Sequence, residues 1–122
     1  MCGQRDESLL LDDMVQACTR LMQLGPSLSD RFEPDRDIAE MVQWNLVQLG
    51  EAAKRLPNAV RDRFPDVEWT QVMRTRDRVT HHYEGINWFR VREMAVSDAP
   101  ALLPRLVSIR EILRAEADSG PS

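Results

Sequence analysis

Along this chain the apolar residues recur at intervals of three and four, and no stretch alternates convincingly at intervals of two. That spacing belongs to helices with one buried face and leaves no strand to build a sheet from. In "SLLLDDMVQACTRLMQLG", Leu11, Met14, Val15, Cys18, Leu21 and Met22 share one face. This helix is expected to start at Ser8 or a nearby acid and to stop at Gly25-Pro26. In "RDIAEMVQWNLVQLGEAAKRLP" the stripe is Ile38, Met41, Val42, Leu46, Leu49, Ala53 and Leu56, ended by Pro57. Asn45 falls on its edge, where burial requires a hydrogen-bond partner and a bond to another helix is the expected one. "NAVRDRF" suits a short helical turn, and a further helix is expected from Asp66 to Gly85. A long helix beginning near Asn87, an acceptable N-cap, carries Val91, Ala95, Ala99, Leu102, Leu106, Ile109 and Leu113. Pro100 and Pro104 should kink or divide it, since each removes a helix donor and crowds the preceding turn. The expectation is an all-α, up-and-down bundle of four main helices plus short helical turns.

At 122 residues the chain fits one domain, 1–122, with ends 1–7 and 118–122 expected to fray. Its 43% hydrophobic content fills a modest core of the kind that often leans on a partner chain. Cys2 and Cys18 match no metal-binding spacing and read as free thiols in a reducing compartment. The start, "MCGQRDESLLLDD", is neither a signal peptide nor a membrane span, so a cytoplasmic protein is expected. A net charge of −4 argues against a general nucleic-acid coat. The charge is unevenly spread: residues 1–40 hold four arginines against nine carboxylates, and residues 54–92 hold nine basic side chains against five acidic ones.

Chemistry concentrates in "RTRDRVTHHY", residues 74–83, which contains three arginines, both histidines and the single tyrosine. On a helix, Trp69, Val72, Met73, Val79, Thr80 and Tyr83 recur as a buried face, and Arg76 lies in the middle of it. An arginine there is either paired with an acid on another helix, such as Glu51, or lines a cleft and meets an anion. His81 lies about 140° round the helix from Arg76, so the two converge through the long arginine side chain, a distorted helix end, or a second copy of the chain. No metal-ligand cluster, Gly-rich phosphate loop or serine nucleophile motif accompanies them. Arginine with histidine suits a phosphodiester, because guanidinium holds two phosphate oxygens while imidazole moves a proton near neutrality. RNA supplies its own nucleophile, the 2′-hydroxyl.

Residues 76–83, Arg-Asp-Arg-Val-Thr-His-His-Tyr, fit R-x(4)-H-x-Y, and the chain here resembles the HEPN-domain ribonuclease toxins of the HepT-like group. "NLVQLGEAAKRL" (45–56) and "FPDVEWTQVMRTRDRVTHHY" (64–83) resemble that group's two most recognisable segments, in the same order, and the likeness extends over roughly residues 8–115. Asp77 fits the polar residue usual after the arginine, whereas Thr75 stands where an apolar residue is common. The resemblance implies a HEPN-like helical bundle that dimerises with two motif copies facing one cleft. It implies metal-independent RNA cleavage without a cofactor, as the toxin of a type II/VII-like toxin–antitoxin pair. It also implies a cognate nucleotidyltransferase antitoxin able to transfer AMP to the motif tyrosine, here Tyr83.

Two readings follow. In the first, an endoribonuclease, Arg76 holds the scissile phosphate, His81 acts as general acid or base, and Asp77 orients one of them. Arg78 and His82 then add RNA contacts, with no metal involved. In the second, a non-catalytic module binds nucleotide or a nucleotidyltransferase without cutting RNA. The intact Arg76/His81 pair favours the first; a pocket filled by an Arg76–Glu51 ion pair would favour the second.

Overall fold

A computed structural model describes residues 3–28, 36–81 and 88–119, the side chains of 3–5 and 77–81 excepted. The elements are α1 (Gly3–Leu24), a 3₁₀ turn (Gly25–Ser27), α2 (Arg36–Arg55), α3 (Asn58–Arg63), α4 (Trp69–His81), α5 (Trp88–Glu93), a π-helical turn (Met94–Asp98) and α6 (Ala99–Asp118). No strand occurs among the described residues, and the fold is the expected all-α bundle. Helix α1 packs against both α2 and α6, and α4 packs on the far side of α2.

The apolar stripes become the core. Leu11, Met14, Cys18 and Leu21 of α1 meet Val42, Leu46, Leu49, Ala53 and Leu56 of the second stripe, and Leu106, Ile109 and Leu113 of α6; all are buried. Each of the Leu, Ile, Val and Met side chains contributes about 1.5–3 kcal/mol when fully removed from water. Two stripe members, Met22 and Met41, are instead exposed, because they sit at the margins of faces centred on Cys18 and on Leu46. Asn45 is buried, but its amide donates to the Met41 carbonyl of its own helix at 2.7 Å, not to another helix. The one-turn reach satisfies the amide locally.

Several boundaries differ from those read in the sequence. Helix α1 begins at Gly3 and includes Ser8 as a buried interior residue, with Asp6 in the first turn, where its charge suits the helix dipole. Helix α4 starts at Trp69 and not at Asp66. Pro65 follows the end of α3, and the Val67 and Trp69 amides bond back to Phe64 and Val67 carbonyls at 3.2 and 2.9 Å. The Trp69 indole N–H donates to the Phe64 carbonyl at 3.0 Å, tying the start of α4 to the end of α3. The proposed end of that helix at Gly85 and the Asn87 cap lie outside the described residues.

Pro100 divides the last helix in a specific way. It follows a π turn in which the Ala99 amide bonds the Met94 carbonyl, five residues back. The wider turn absorbs the donor that proline lacks and relieves the crowding of its ring. Pro104 sits within α6 without ending it.

Much of the basic charge is used structurally. Arg61 caps the C-terminal end of α2, donating to the Ala53 and Leu56 carbonyls at 2.8 and 2.6 Å and also to Asn58. Arg63 makes a two-bond pair with Glu116 at 3.0 and 2.5 Å, and Arg105 makes one with Asp66 at 2.6 and 3.1 Å. Both guanidiniums stand 5.3 Å from the ring of buried Phe64. Together they fasten α3 and the α3–α4 turn to α6.

Candidate active site

The site is assembled where α4 crosses α2. Gly50 is buried at this crossing, and a methyl group there would lie 2.8 Å from the Arg76 backbone nitrogen and 2.9 Å from Arg76 Cβ. Only a residue without Cβ allows the two backbones this close. The Thr75 hydroxyl completes the contact, lying 3.1 Å from the Leu46 carbonyl and 2.8 Å from the Val72 carbonyl. Thr75 is buried, so the residue that departs from the usual apolar type serves as a polar latch between helices.

This seat fixes the root of Arg76. Its Nε lies 2.8 Å from Glu51 Oε2, so the ion pair weighed in the sequence is formed. The pair does not fill a closed pocket: the side chains are 38% and 46% exposed. A pair this wet is worth about 0–1 kcal/mol, so it orients the guanidinium more than it stabilises the fold. Arg76 and Glu51 are therefore held side by side at the surface, on consecutive residues after Thr75 and Gly50 respectively.

The rest of the motif is only partly described. Asp77, Arg78 and His81 lie on α4, which is described as far as His81, but their side chains are outside the described residues, as are His82 and Tyr83 altogether. From Arg76 the helix advances about 7.5 Å to His81. Because α3 and Trp69 hold the start of α4 near the C-terminal end of α2, that advance runs back towards the N-terminal half of α2.

A groove of about 860 Å³ runs between α4 and the α5–α6 helix, floored by Leu21, Leu46, Leu49 and Val72. Thr75 reaches it but Arg76 does not line it. Its rim carries Asp66, Glu68 and Asp98 against Arg90 and Arg105, a balance ill suited to a phosphate chain.

Cys18 is inert: burial pushes its thiol up to about 12, and Cys2 is outside the described residues. Among the described residues, no three His, Cys, Asp or Glu side chains cluster as metal ligands. No helix among them is long and apolar enough to cross a membrane.

The sequence read Arg76 as off-pattern and named Glu51 as its possible partner, but it missed Gly50. The available signal was an isolated glycine in the middle of a strong helical pattern, which marks close approach of another backbone.

An all-helical bundle with this arginine-bearing helix seated on α2 agrees with the relationships of the chain. Residues 14–109 match the model of the family described as Ribonuclease HepT-like, and the chain belongs to the HepT-like ribonuclease family. It is 31% identical over 113 residues to "Probable ribonuclease HepT" of Thermococcus cleftensis, covering 88% of this chain and 99% of that protein. It is 29% identical over 117 residues to a "Putative RNase" of Methanocaldococcus jannaschii, covering 95% of this chain and 97% of the relative. A further "Putative RNase", from Caldanaerobacter subterraneus, is 28% identical over 107 residues, 87% of this chain and 93% of that one. No solved structure matches the chain.

Proposed function

We propose that this protein is a cytoplasmic, metal-independent endoribonuclease that acts as a homodimer and serves as the toxin of a toxin–antitoxin pair. The observation that carries the reading is Arg76: a surface guanidinium rooted by the Gly50–Thr75 crossing, five residues before His81 on one helix, in a chain of a ribonuclease family. Arg76 binds the scissile phosphate and offsets the charge that builds on it in the transition state. The 2′-oxygen attacks phosphorus and the 5′-oxygen leaves, giving a 2′,3′-cyclic phosphate and a 5′-hydroxyl. His81 takes the 2′-hydroxyl proton or donates one to the leaving oxygen, and His81 of the partner subunit fills the other role. Asp77 orients one of these groups, and Arg78 and His82 add contacts to RNA.

A cognate nucleotidyltransferase neutralises the enzyme by transferring AMP to Tyr83. This residue lies seven positions after Arg76 in the sequence, and the negative charge of the added AMP repels RNA from the motif. Expression of the wild type should arrest growth of a host lacking the antitoxin, and His81→Ala should not. Equal arrest by both would sink the assignment of His81.

The Arg76–Glu51 pair is formed without filling a pocket, and it motivates a second reading, a binding module whose arginine is occupied by an internal acid. Under it, purified protein binds RNA or the transferase but leaves RNA uncut, and Arg76→Ala changes affinity alone.

A further inference from the structure

We infer that Trp44, supported by Met41 and Gln48, forms a stacking site for an unpaired base of the RNA substrate, next to the phosphate held by Arg76. The inference rests on the ribonuclease reading and adds a substrate-positioning residue to it.

Trp44 is the most exposed large apolar residue among those described, at 59%, although a tryptophan normally buries most of its surface. Met41, one turn earlier on the same face, is 46% exposed. Gln48 follows Trp44 by four residues and Glu51 by three more, so Met41, Trp44, Gln48 and Glu51 form one continuous row along α2. The row ends on the Arg76 guanidinium, 2.8 Å from Glu51. Trp44 stands two turns from that pair, about 10.5 Å along the axis, on the side towards which α4 advances to His81. The backbone of His81 is displaced in the same direction by about 7.5 Å. Trp44 and the His81 backbone are thus at similar heights on neighbouring helices.

The chemistry of the row fits a nucleobase better than a phosphate or an apolar protein surface. Glu40 beside it is matched by Arg36 at 3.1 Å, and Glu51 by Arg76, so the row between them carries no uncompensated charge. An indole offers a flat face for stacking, a thioether packs against an aromatic edge, and an amide both donates to and accepts from a base edge. A base stacked on Trp44 would carry its backbone towards Arg76, joining sequence-tolerant stacking to phosphate binding in the manner of single-strand binding surfaces. The amide of Gln48 then gives a modest preference among bases.

The test compares cleavage of an unstructured oligoribonucleotide by wild type, Trp44→Ala, Trp44→Phe and Leu9→Ala. Leu9 is a similarly exposed apolar residue on α1 and serves as the control. Trp44→Ala should raise KM about 5- to 150-fold, the usual cost of losing one stacked base, with kcat changed little. Trp44→Phe should stay within about threefold of wild type, because a phenyl ring still stacks. A non-cleavable 2′-deoxy version of the oligonucleotide should quench tryptophan emission in the wild type, and that quenching should be absent in Trp44→Phe. Sizing runs alongside. A Trp44→Ala variant that becomes monomeric would overturn the stacking site and assign the row to contact between two copies. Wild-type cleavage with unchanged KM in Trp44→Ala would also overturn it while leaving the ribonuclease intact. Absence of cleavage by the wild type would instead overturn the ribonuclease reading on which the inference rests.

Discussion

Replacing Gly50 with alanine sets two physical effects against each other with opposite signs. In a helix interior alanine is favoured over glycine by about 1 kcal/mol, so a solvent-facing Gly50→Ala would be stabilising. At the α2–α4 crossing the new methyl would lie 2.8 Å from the Arg76 nitrogen, 2.8 Å from Thr75 Oγ1 and 2.9 Å from Arg76 Cβ. Two of these are backbone or backbone-rooted atoms that cannot rotate away, so α4 must retreat by roughly 0.6–1 Å to reach ordinary contact distance. Overpacking of this kind costs about 1–3 kcal/mol. Stretching the Thr75 bond to Leu46 adds about 0.5–1.5 kcal/mol. After the propensity gain, the net loss is about 0.5–3.5 kcal/mol, read as a lower urea midpoint by circular dichroism at unchanged slope. The same retreat moves Arg76, and a displacement of about 1 Å in a positioning group costs on the order of 10²-fold in rate. A Gly50→Ala protein that is more stable than wild type, with undiminished cleavage, would refute the claim that this crossing seats the site.

Two other outcomes concern separate parts of the molecule. Hydrogen bonds from Arg105 and Arg63 hold the Asp66 and Glu116 carboxyls below the usual carboxylate range. Their stabilisation is therefore complete above the unfolded values, near about 4, and is lost as pH falls through the lower folded values. The double variant Asp66→Asn, Glu116→Gln should melt slightly lower at pH 7 and lose less on acidification; identical pH slopes would contradict this. Co-expression with a neighbouring nucleotidyltransferase should add an AMP-sized mass to the intact protein, absent in Tyr83→Phe, and persistence of the increment in that variant would exclude Tyr83.

The bundle was legible because burial of one helical face leaves a strong periodic trace, and the stripes of α1, α2 and α6 supply most of the core. Boundaries were less legible where tertiary contacts decide them. Asp66 looked like the start of a helix, yet its bonds to Arg105, thirty-nine residues away, hold it in a turn. Asn45 could not announce which carbonyl it would choose, since its own helix and a neighbour offer the same acceptor. Within the site, Arg76 stood out as a charge on an apolar face, and its pairing with Glu51 could be named beforehand. Gly50 could not be assigned its role from spacing alone, because the glycine is informative only once the helix that approaches it is known.

The proposed reaction is cleavage of RNA by Arg76 and His81 through the 2′-hydroxyl without a divalent metal. It is tested most directly by incubating purified protein with a defined oligoribonucleotide in EDTA and identifying the product ends, beside Arg76→Ala, Arg76→Lys, His81→Ala and His82→Ala. The wild type should yield 2′,3′-cyclic phosphate and 5′-hydroxyl ends in EDTA and leave a strand with 2′-deoxy substitution at the cut site intact. His81→Ala should lose about 10²–10⁴-fold in rate. Arg76→Ala should fall comparably, Arg76→Lys should recover only in part because an ammonium cannot make the two-bond contact, and His82→Ala should lose less. Undiminished cleavage by a folded His81→Ala variant, or complete loss of wild-type activity in EDTA, would contradict the account.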